Sequence, residues 1–236
     1  MNQAKMRLHL SEGMIARSLW QELHSSLVDE VAAAEARSIL EQSRQIEARF
    51  PSRTGSISLH SIKTLWLLAH YFQPSVIAEV GTYIGRSTLA MARGAKPSLN
   101  ALFTCDMSFD CWSAPEEDAE KIRYFGKTAS TEMFRMLSGQ VKVDMFLLDG
   151  RLQQEDLQMI SALRHDRTVF LIDDFEGVEK GVDNALKLRA AFSDLLLLAP
   201  PSTLSEGWAH SHCMAVLVPN KLIQLSRQQR LPLWMM

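Results

Sequence analysis

One segment in the first half of the chain limits the possible fold more than any other. From residue 76 it reads Val-Ile-Ala-Glu-Val-Gly-Thr-Tyr-Ile-Gly-Arg-Ser-Thr. An apolar run that contains Glu79 leads to Gly81 and Gly85, and a helix-compatible run follows. This order predicts a strand, a tight glycine turn and the start of a helix, which is typical of α/β proteins that bind nucleotide-like ligands.

The spacing of the two glycines separates this loop from a dinucleotide site. Dinucleotide loops use G-x-G-x-x-G, so that amides at a helix N-terminus approach a pyrophosphate, whereas this chain has E-x-G-x-x-x-G. S-adenosylmethionine (SAM) has no phosphate and carries an ammonium and a sulfonium group, which a carboxylate beside the loop suits better. Glycine also favours tight turns for steric reasons alone, so an unrelated strand–turn–helix unit would share the two glycines.

The run from Glu79 to Ser87 resembles the first motif of class I SAM-dependent methyltransferases. It is most similar to that of the small O-methyltransferases of the catechol and caffeoyl-CoA type, and Tyr83 and Ser87 sharpen the match. The resemblance implies an α/β, Rossmann-like fold with a seven-stranded, mostly parallel sheet, helices on both faces and an N-terminal helical extension. We expect residues 51–236 to form the SAM-binding domain and residues 1–50 to form a helical cap, which is the simplest division of the chain.

Composition restricts the class of protein without naming its chemistry. The chain has 236 residues, a formal net charge of −2 and 22% charged residues, which argues against broad attraction to nucleic acid. Its three cysteines form no C-x-x-C pair, so a disulfide framework is not expected and a reducing cytoplasm is the expected location. No segment is apolar for long enough to cross a membrane, so we expect no membrane partner.

The pattern of apolar residues predicts helices before residue 73 and alternating strands and helices after it. Helices are predicted within residues 11–49 and 58–72, and near 86–93, 129–137, 153–163 and 177–191. Strands are predicted at Val76–Val80, Ala101–Cys105, Ile122–Phe125, Val143–Leu148, Thr168–Ile172, Leu195–Leu198 and Cys213–Val218. Such alternation favours a mostly parallel sheet with helices on both faces.

The resemblance assigns a set of residues to the SAM cofactor. Asp106 ends the second predicted strand, where an acid accepts hydrogen bonds from ribose hydroxyls, and the turn before the fourth helix contacts the adenine edge. The residues implied to bind the cofactor are Glu79, Gly81, Thr82, Tyr83, Gly85, Ser87, Asp106, Met107, Ala129, Ser130 and Asp149. A solvated loop aspartate would also explain Asp106, and helix capping would also explain Ser130.

Three acids end two further predicted strands and suggest a metal site. Asp149 follows the fourth strand, and Asp173 and Asp174 follow the fifth. Carboxylates gathered at one edge repel each other unless a cation lies between them, and Mg²⁺ is the divalent ion that such oxygen ligands suit best. Metal-dependent O-methyltransferases look alike here, and the Asp-Asp pair resembles that of antibiotic-sugar methyltransferases. Alternatively, Asp173 caps a helix and Asp174 is solvated.

The resemblance implies that a bound metal would lower the pKa of an acceptor hydroxyl and orient it toward the sulfonium methyl. One departure leaves the base open, because Leu152 stands where catechol-type enzymes carry a lysine. The metal alone, Asp149 as the catalytic residue, or a histidine from elsewhere could serve. Arg151 could pair with an acidic group of the substrate or lie on the surface.

The sequence therefore predicts a SAM-dependent O-methyltransferase that acts on a small hydroxylated molecule, assisted by a divalent metal. Two other functions stay open: a SAM-fold protein that has lost catalysis and serves in binding or assembly, and a metal-dependent enzyme of another reaction class. In related enzymes the N-terminal helices cover the active site or build a homodimer, and the resemblance extends both roles to residues 1–50.

Overall fold

The computed structural model of the protein describes residues 14–23, 26–48, 57–108, 112–175, 180–199 and 214–229. The helices in these ranges are α1 (residues 14–22), α2 (Ser26–Glu47), α3 (Leu59–Phe72), α4 (Arg86–Gly94), α5 (Ser130–Leu137), α6 (Gln154–Leu163), α7 (Lys180–Ala191) and α8 (Asn220–Gln229). The strands are β1 (Val76–Val80), β2 (Ala101–Asp106), β3 (Ile122–Gly126), β4 (Val143–Leu148), β5 (Arg164–Ile172), β6 (Leu195–Leu198) and β7 (Ala215–Pro219). No helix within the described ranges combines the length and the hydropathy needed to span a membrane.

The seven strands form one sheet in the order β3-β2-β1-β4-β5-β7-β6. Strands β1 to β5 run parallel, and β7 runs antiparallel to both β5 and β6. The predicted seven-stranded, mostly parallel sheet is therefore confirmed. Because the strand order reverses between β1 and β4, a ligand crevice is expected outside the carboxyl ends of these strands.

Apolar side chains alternate between the two faces of the central strands. In β4, Met145 and Leu147 belong to the core beneath α3 and α4, whereas Phe146 and Leu148 belong to the core beneath α5, α6 and α7. Strands that are buried on both faces are expected where helices cover a parallel sheet from both sides. The strands at the centre are thus held by two separate hydrophobic cores.

The N-terminal helices pack onto the first of these cores. Trp20 of α1 and Ile39 of α2 are fully buried in the same cluster as the apolar face of α3. Arg86, the first residue of α4, donates from Nε to Ser43 Oγ at 2.7 Å, and its guanidinium lies 2.8 Å from Glu47 Oε2. This ties α2 to the helix that follows the glycine loop, while the predicted domain boundary near residue 50 stays a prediction.

Two elements differ from the sequence prediction. Strand β5 begins at Arg164 rather than at Thr168, and it includes the exposed Asp166 and Arg167. Arg164 pairs with Val143 of β4 in the backbone ladder. Because the residues at the start of β5 are polar, the apolar pattern of the sequence does not reveal where the strand begins. Helix α8 was not predicted, because its polar sequence shows only a short apolar stripe. The predicted start of the last strand, Cys213, lies outside the described residues.

The buried Arg86 contact predicts a specific loss of stability. Replacing Arg86 by Met should lower the free energy of unfolding by roughly 2–3 kcal/mol, because Glu47 and Ser43 lose their partner in a largely buried site. Urea denaturation followed by circular dichroism measures the change.

Arg44→Met is the matched control, since the Arg44 side chain is 63% exposed and pairs with Glu41 on its own helix. The control should change stability by less than about 0.5 kcal/mol. Equal losses in the two variants would show that Arg86 does not link α2 to α4 as described.

Candidate active site

The loop between β1 and α4 is built on backbone conformations that favour glycine. Gly81 and Gly85 have φ angles of 102° and 77°, and Gly85 caps the N-terminus of α4. The N–H groups of Gly81 and Thr82 both donate to the carbonyl oxygen of Cys105, at 2.9 and 3.2 Å. The loop is therefore fastened to the end of β2, which is the neighbouring strand.

Side chains from two other segments press against this loop. A Cβ atom at Gly85 would lie 2.0 Å from the ring of Trp112, and one at Gly81 would lie 3.2 Å from Cβ of Asp149. Trp112 is buried and packs edge-on against Tyr124 of β3. The contact of Trp112 with the loop was not predicted, because no local pattern connects Trp112 with Gly85, which lies 27 positions earlier in the chain.

Asp106 is the last residue of β2 and is oriented by the backbone around it. Its Oδ2 atom accepts the N–H of Tyr83 at 2.8 Å, and its Oδ1 atom accepts the N–H of Ser108 at 2.8 Å. The side chain is largely buried. These contacts fix the direction in which the carboxylate points.

A cleft of about 400 Å³ opens at the carboxyl ends of β1, β2 and β4. Five residues that were predicted to bind the cofactor line it, namely Gly81, Asp106, Met107, Ala129 and Ser130. A smaller adjoining pocket is lined by Gly81 and by four more predicted residues, Thr82, Tyr83, Ser87 and Asp149. The structure thus brings most of the predicted cofactor residues to one place.

The far wall of the cleft is held by a buried acid that sequence reasoning missed. Asp156 of α6 is fully buried and accepts hydrogen bonds from the hydroxyls of Ser130 and Thr131 at 2.9 and 2.7 Å. It also accepts the N–H of Gln153. Asp156 therefore joins the first turns of α5 and α6. Ser130 lines the cleft, and its hydroxyl helps to hold the cleft wall through its bond to Asp156.

Glu79 lies beneath the glycine loop and lines neither pocket. Its side chain has no exposed surface, and Thr88 of α4 donates its hydroxyl to Glu79 Oε2 at 2.5 Å. Burial raises the pKa of Glu79 to about 7. The Glu79 side chain points toward α4, and its predicted contact with the cofactor cation stays a prediction.

The acidic rim is defined as Asp149, Asp173 and Asp174, whose carboxylates lie close enough to influence one another's pKa. Burial raises the pKa of Asp149 to about 6, and burial with the neighbouring Asp149 raises the pKa of Asp173 to about 7. Among the described residues, Lys180 is the cation that contacts two of these groups, with Nζ 2.6 Å from Asp149 Oδ1 and 3.0 Å from Asp174 Oδ2. Sequence reasoning identified the need for a cation but not this lysine.

Lys180 reaches the rim because α7 begins in contact with the end of β5. A Cβ atom at Gly181 would lie 2.2 Å from the carbonyl oxygen of Asp173, so only glycine allows this approach. Asp174 adopts a left-handed φ of 52° beside it. Within the ranges that the structure covers, no group of three acids, histidines or cysteines is arranged to hold a metal ion.

Known structures share this fold. An O-methyltransferase from Bacillus cereus, in complex with SAH, matches with a TM-score of 0.57 and 17% identity, over 77% of this chain and 90% of that one. The O-methyltransferase TomG from Streptomyces achromogenes, involved in tomaymycin synthesis and in complex with SAM, matches with a TM-score of 0.57 and 18% identity, over 77% and 89%. The SAH-bound Podospora anserina methyltransferase PaMTH1 matches with a TM-score of 0.53 and 15% identity, over 83% and 96%.

The fold is that of methyltransferases of known structure. No protein-family model matches the chain, and no curated protein matches its sequence significantly. The predicted Rossmann-like methyltransferase fold is therefore confirmed by structure, at a sequence identity too low to carry a function by itself.

The buried Glu79 predicts a pH dependence of stability. Its pKa is about 7 in the folded protein against an ordinary value of 4.5, so the folded state binds more protons between these values. The free energy of unfolding should therefore fall as the pH rises through this range. Glu79→Gln stays neutral and keeps an acceptor for Thr88. As the pH rises through the same range, its free energy of unfolding should therefore increase relative to that of the wild type.

Urea denaturation of both proteins at about pH 5 and about pH 8 measures this difference, since these values bracket the titration. Glu155→Gln, at an exposed position of α6, is the control and should follow the wild type. Parallel pH profiles for the wild type and Glu79→Gln would contradict the prediction.

Proposed function

We propose that this protein is a SAM-dependent O-methyltransferase that transfers a methyl group to a hydroxyl of a small molecule. The observation that carries the proposal is the cleft lined by Gly81 and Asp106, at the point where the strand order reverses. Open parallel sheets bind their ligands there. The fold shared with SAM-bound and SAH-bound methyltransferases supports the same conclusion.

The residues of the cleft fit SAM. Its volume of about 400 Å³ lies within the usual range for small-molecule sites. Asp106 would accept the ribose hydroxyls, Met107, Ala129 and Ser130 would contact the adenine, and the backbone at Gly81 would face the remainder. The close contact between Gly81 and Asp149 leaves no room for a larger residue in this cradle.

The chemistry requires an aligned hydroxyl and an acceptor for its proton. Bound SAM supplies a sulfonium methyl group for an in-line SN2 transfer. Asp149 adjoins the glycine loop and its side chain is 16% exposed, so it can orient the hydroxyl and accept its proton. Holding the reacting groups in line accounts for much of the acceleration in such transfers.

The sequence also predicts assistance by a divalent metal, and the residues present do not fit one. Asp149 and Asp174 both contact Lys180, whereas Mg²⁺ requires oxygen ligands at about 2.0–2.1 Å in octahedral geometry. The ammonium group of Lys180 occupies the space that a divalent ion would need, and its positive charge pairs with the carboxylates that would hold the ion. We therefore derive no step of the reaction through a metal.

Isothermal titration with SAM, followed by a screen of phenols, catechols and sugars with methyl-labelled SAM, tests the proposal. We expect saturable SAM binding and a labelled methyl ether that survives mild base, which methyl esters do not. SAM binding without transfer to any acceptor would favour the binding or assembly role. Absence of SAM binding by a folded sample would exclude the proposal.

Asp106→Ala should weaken SAM binding by roughly 10-fold to 100-fold, the cost of losing hydrogen bonds to a charged group. The variant also frees the N–H groups of Tyr83 and Ser108, so its thermal unfolding is measured alongside titration calorimetry. Asp183→Ala is the control, because Asp183 lies on α7 and pairs with Lys187. Unchanged affinity in a folded Asp106→Ala variant would contradict the ribose assignment.

A further inference from the structure

We propose that Lys180 is a built-in cation that takes the place of a divalent metal at the acidic rim, so that this protein binds no metal there. The catalytic consequence, methyl transfer without a metal, rests on the proposed function. The metal-binding consequence does not rest on it and can be measured without SAM or an acceptor.

Lys180 bridges two of the three rim acids, the half-exposed Asp174 and the more buried Asp149. Its Nζ bridges carboxylates at the ends of two adjacent strands, with Asp149 directly after β4 and Asp174 after β5. The Lys180 and Asp149 side chains are only 26% and 16% exposed. An ammonium group has three N–H donors, and two of them serve this bridge.

The backbone around Lys180 holds it in this position. Gly181 packs against the carbonyl oxygens of Asp173 and Asp174, where a Cβ atom would lie within 2.2 and 2.5 Å. Asn184, on the same helix, donates from Nδ2 to the carbonyl oxygen of Gly150 at 2.8 Å and accepts the N–H of Leu152 at 3.0 Å. Because α7 is fastened to the ends of both strands, Lys180 emerges at a fixed point between them.

A metal ion and Lys180 compete for the same oxygens. Asp149 Oδ1 is within hydrogen-bond distance of Nζ, and a divalent ion bound to it would lie next to a second positive charge. Like charges at such a distance repel strongly in a partly buried site. The alternative is that Lys180 is a weak counterion that swings aside when a metal arrives, and the two cases differ in measurable metal affinity.

The experiment compares Mn²⁺ binding to the wild type, Lys180→Met, Lys180→Arg and Lys187→Met. Electron paramagnetic resonance of free Mn²⁺ and the thermal shift on adding Mn²⁺ or Mg²⁺ are the readouts, and circular dichroism verifies folding. Lys187→Met is the matched control, because Lys187 lies on the same helix and bonds to Leu152 and Asp183 away from the rim.

We expect the wild type, Lys180→Arg and Lys187→Met to show no saturable Mn²⁺ binding. Lys180→Met should bind Mn²⁺ at least about tenfold more tightly, because the released carboxylates then need another cation. Tight binding by the wild type, or equal binding by all four proteins, would overturn the proposal. If Lys180→Met does not fold, Lys180→Gln and the wild-type titration decide the question.

The catalytic consequence is tested separately, once an acceptor has been found. Methyl transfer by the wild type should be unchanged after treatment with EDTA and unchanged by added Mg²⁺. Loss of activity with EDTA, restored by Mg²⁺, would overturn the metal-free mechanism and leave the proposed methyl transfer intact. Failure of SAM binding would remove the proposed function and leave the Mn²⁺ result unaffected.

Discussion

The carbonyl oxygen of Cys105 accepts two N–H groups from the glycine loop, Gly81 and Thr82. This contact sets the position of the loop against β2, and Asp106, the next residue, accepts the N–H of Tyr83 from the same loop. The end of β2 and the glycine loop therefore form one unit, and both contribute residues to the lining of the cleft. The position of the cleft wall formed by Gly81 and Asp106 depends on this junction.

A parallel sheet collects polar groups at its carboxyl edge, and this has an electrostatic cost. Asp149 and Asp173 are raised in pKa by burial, and their proximity favours any cation that can reach them. Lys180 can reach these carboxylates, because glycine at position 181 lets α7 begin in contact with the end of β5. The proposed replacement of a metal by an ammonium group follows from helix packing and not from the acids themselves.

Most of the sheet and much of the cleft could be predicted from local patterns. Apolar runs located the strands, and turn residues located Gly81 and Asp106, since each pattern reflects a constraint within a few residues. The start of β5 escaped because a ladder partner, Val143, is not visible in local polarity. Trp112 and Asp156 escaped because their contacts join segments that are distant in sequence.

The amino-acid sequence determined the strand–turn–helix order, the acids at the strand ends and the glycines that the loop conformations favour. These properties depend on neighbouring residues and on the spacing between them. Only the tertiary structure decided that Glu79 faces Thr88 beneath the loop and that Lys180 is the cation at the rim. Both contacts depend on where α4 and α7 pack against the sheet. The direction in which a buried ionisable side chain points follows from the hydrogen-bond and ion-pair partners that this packing places beside it.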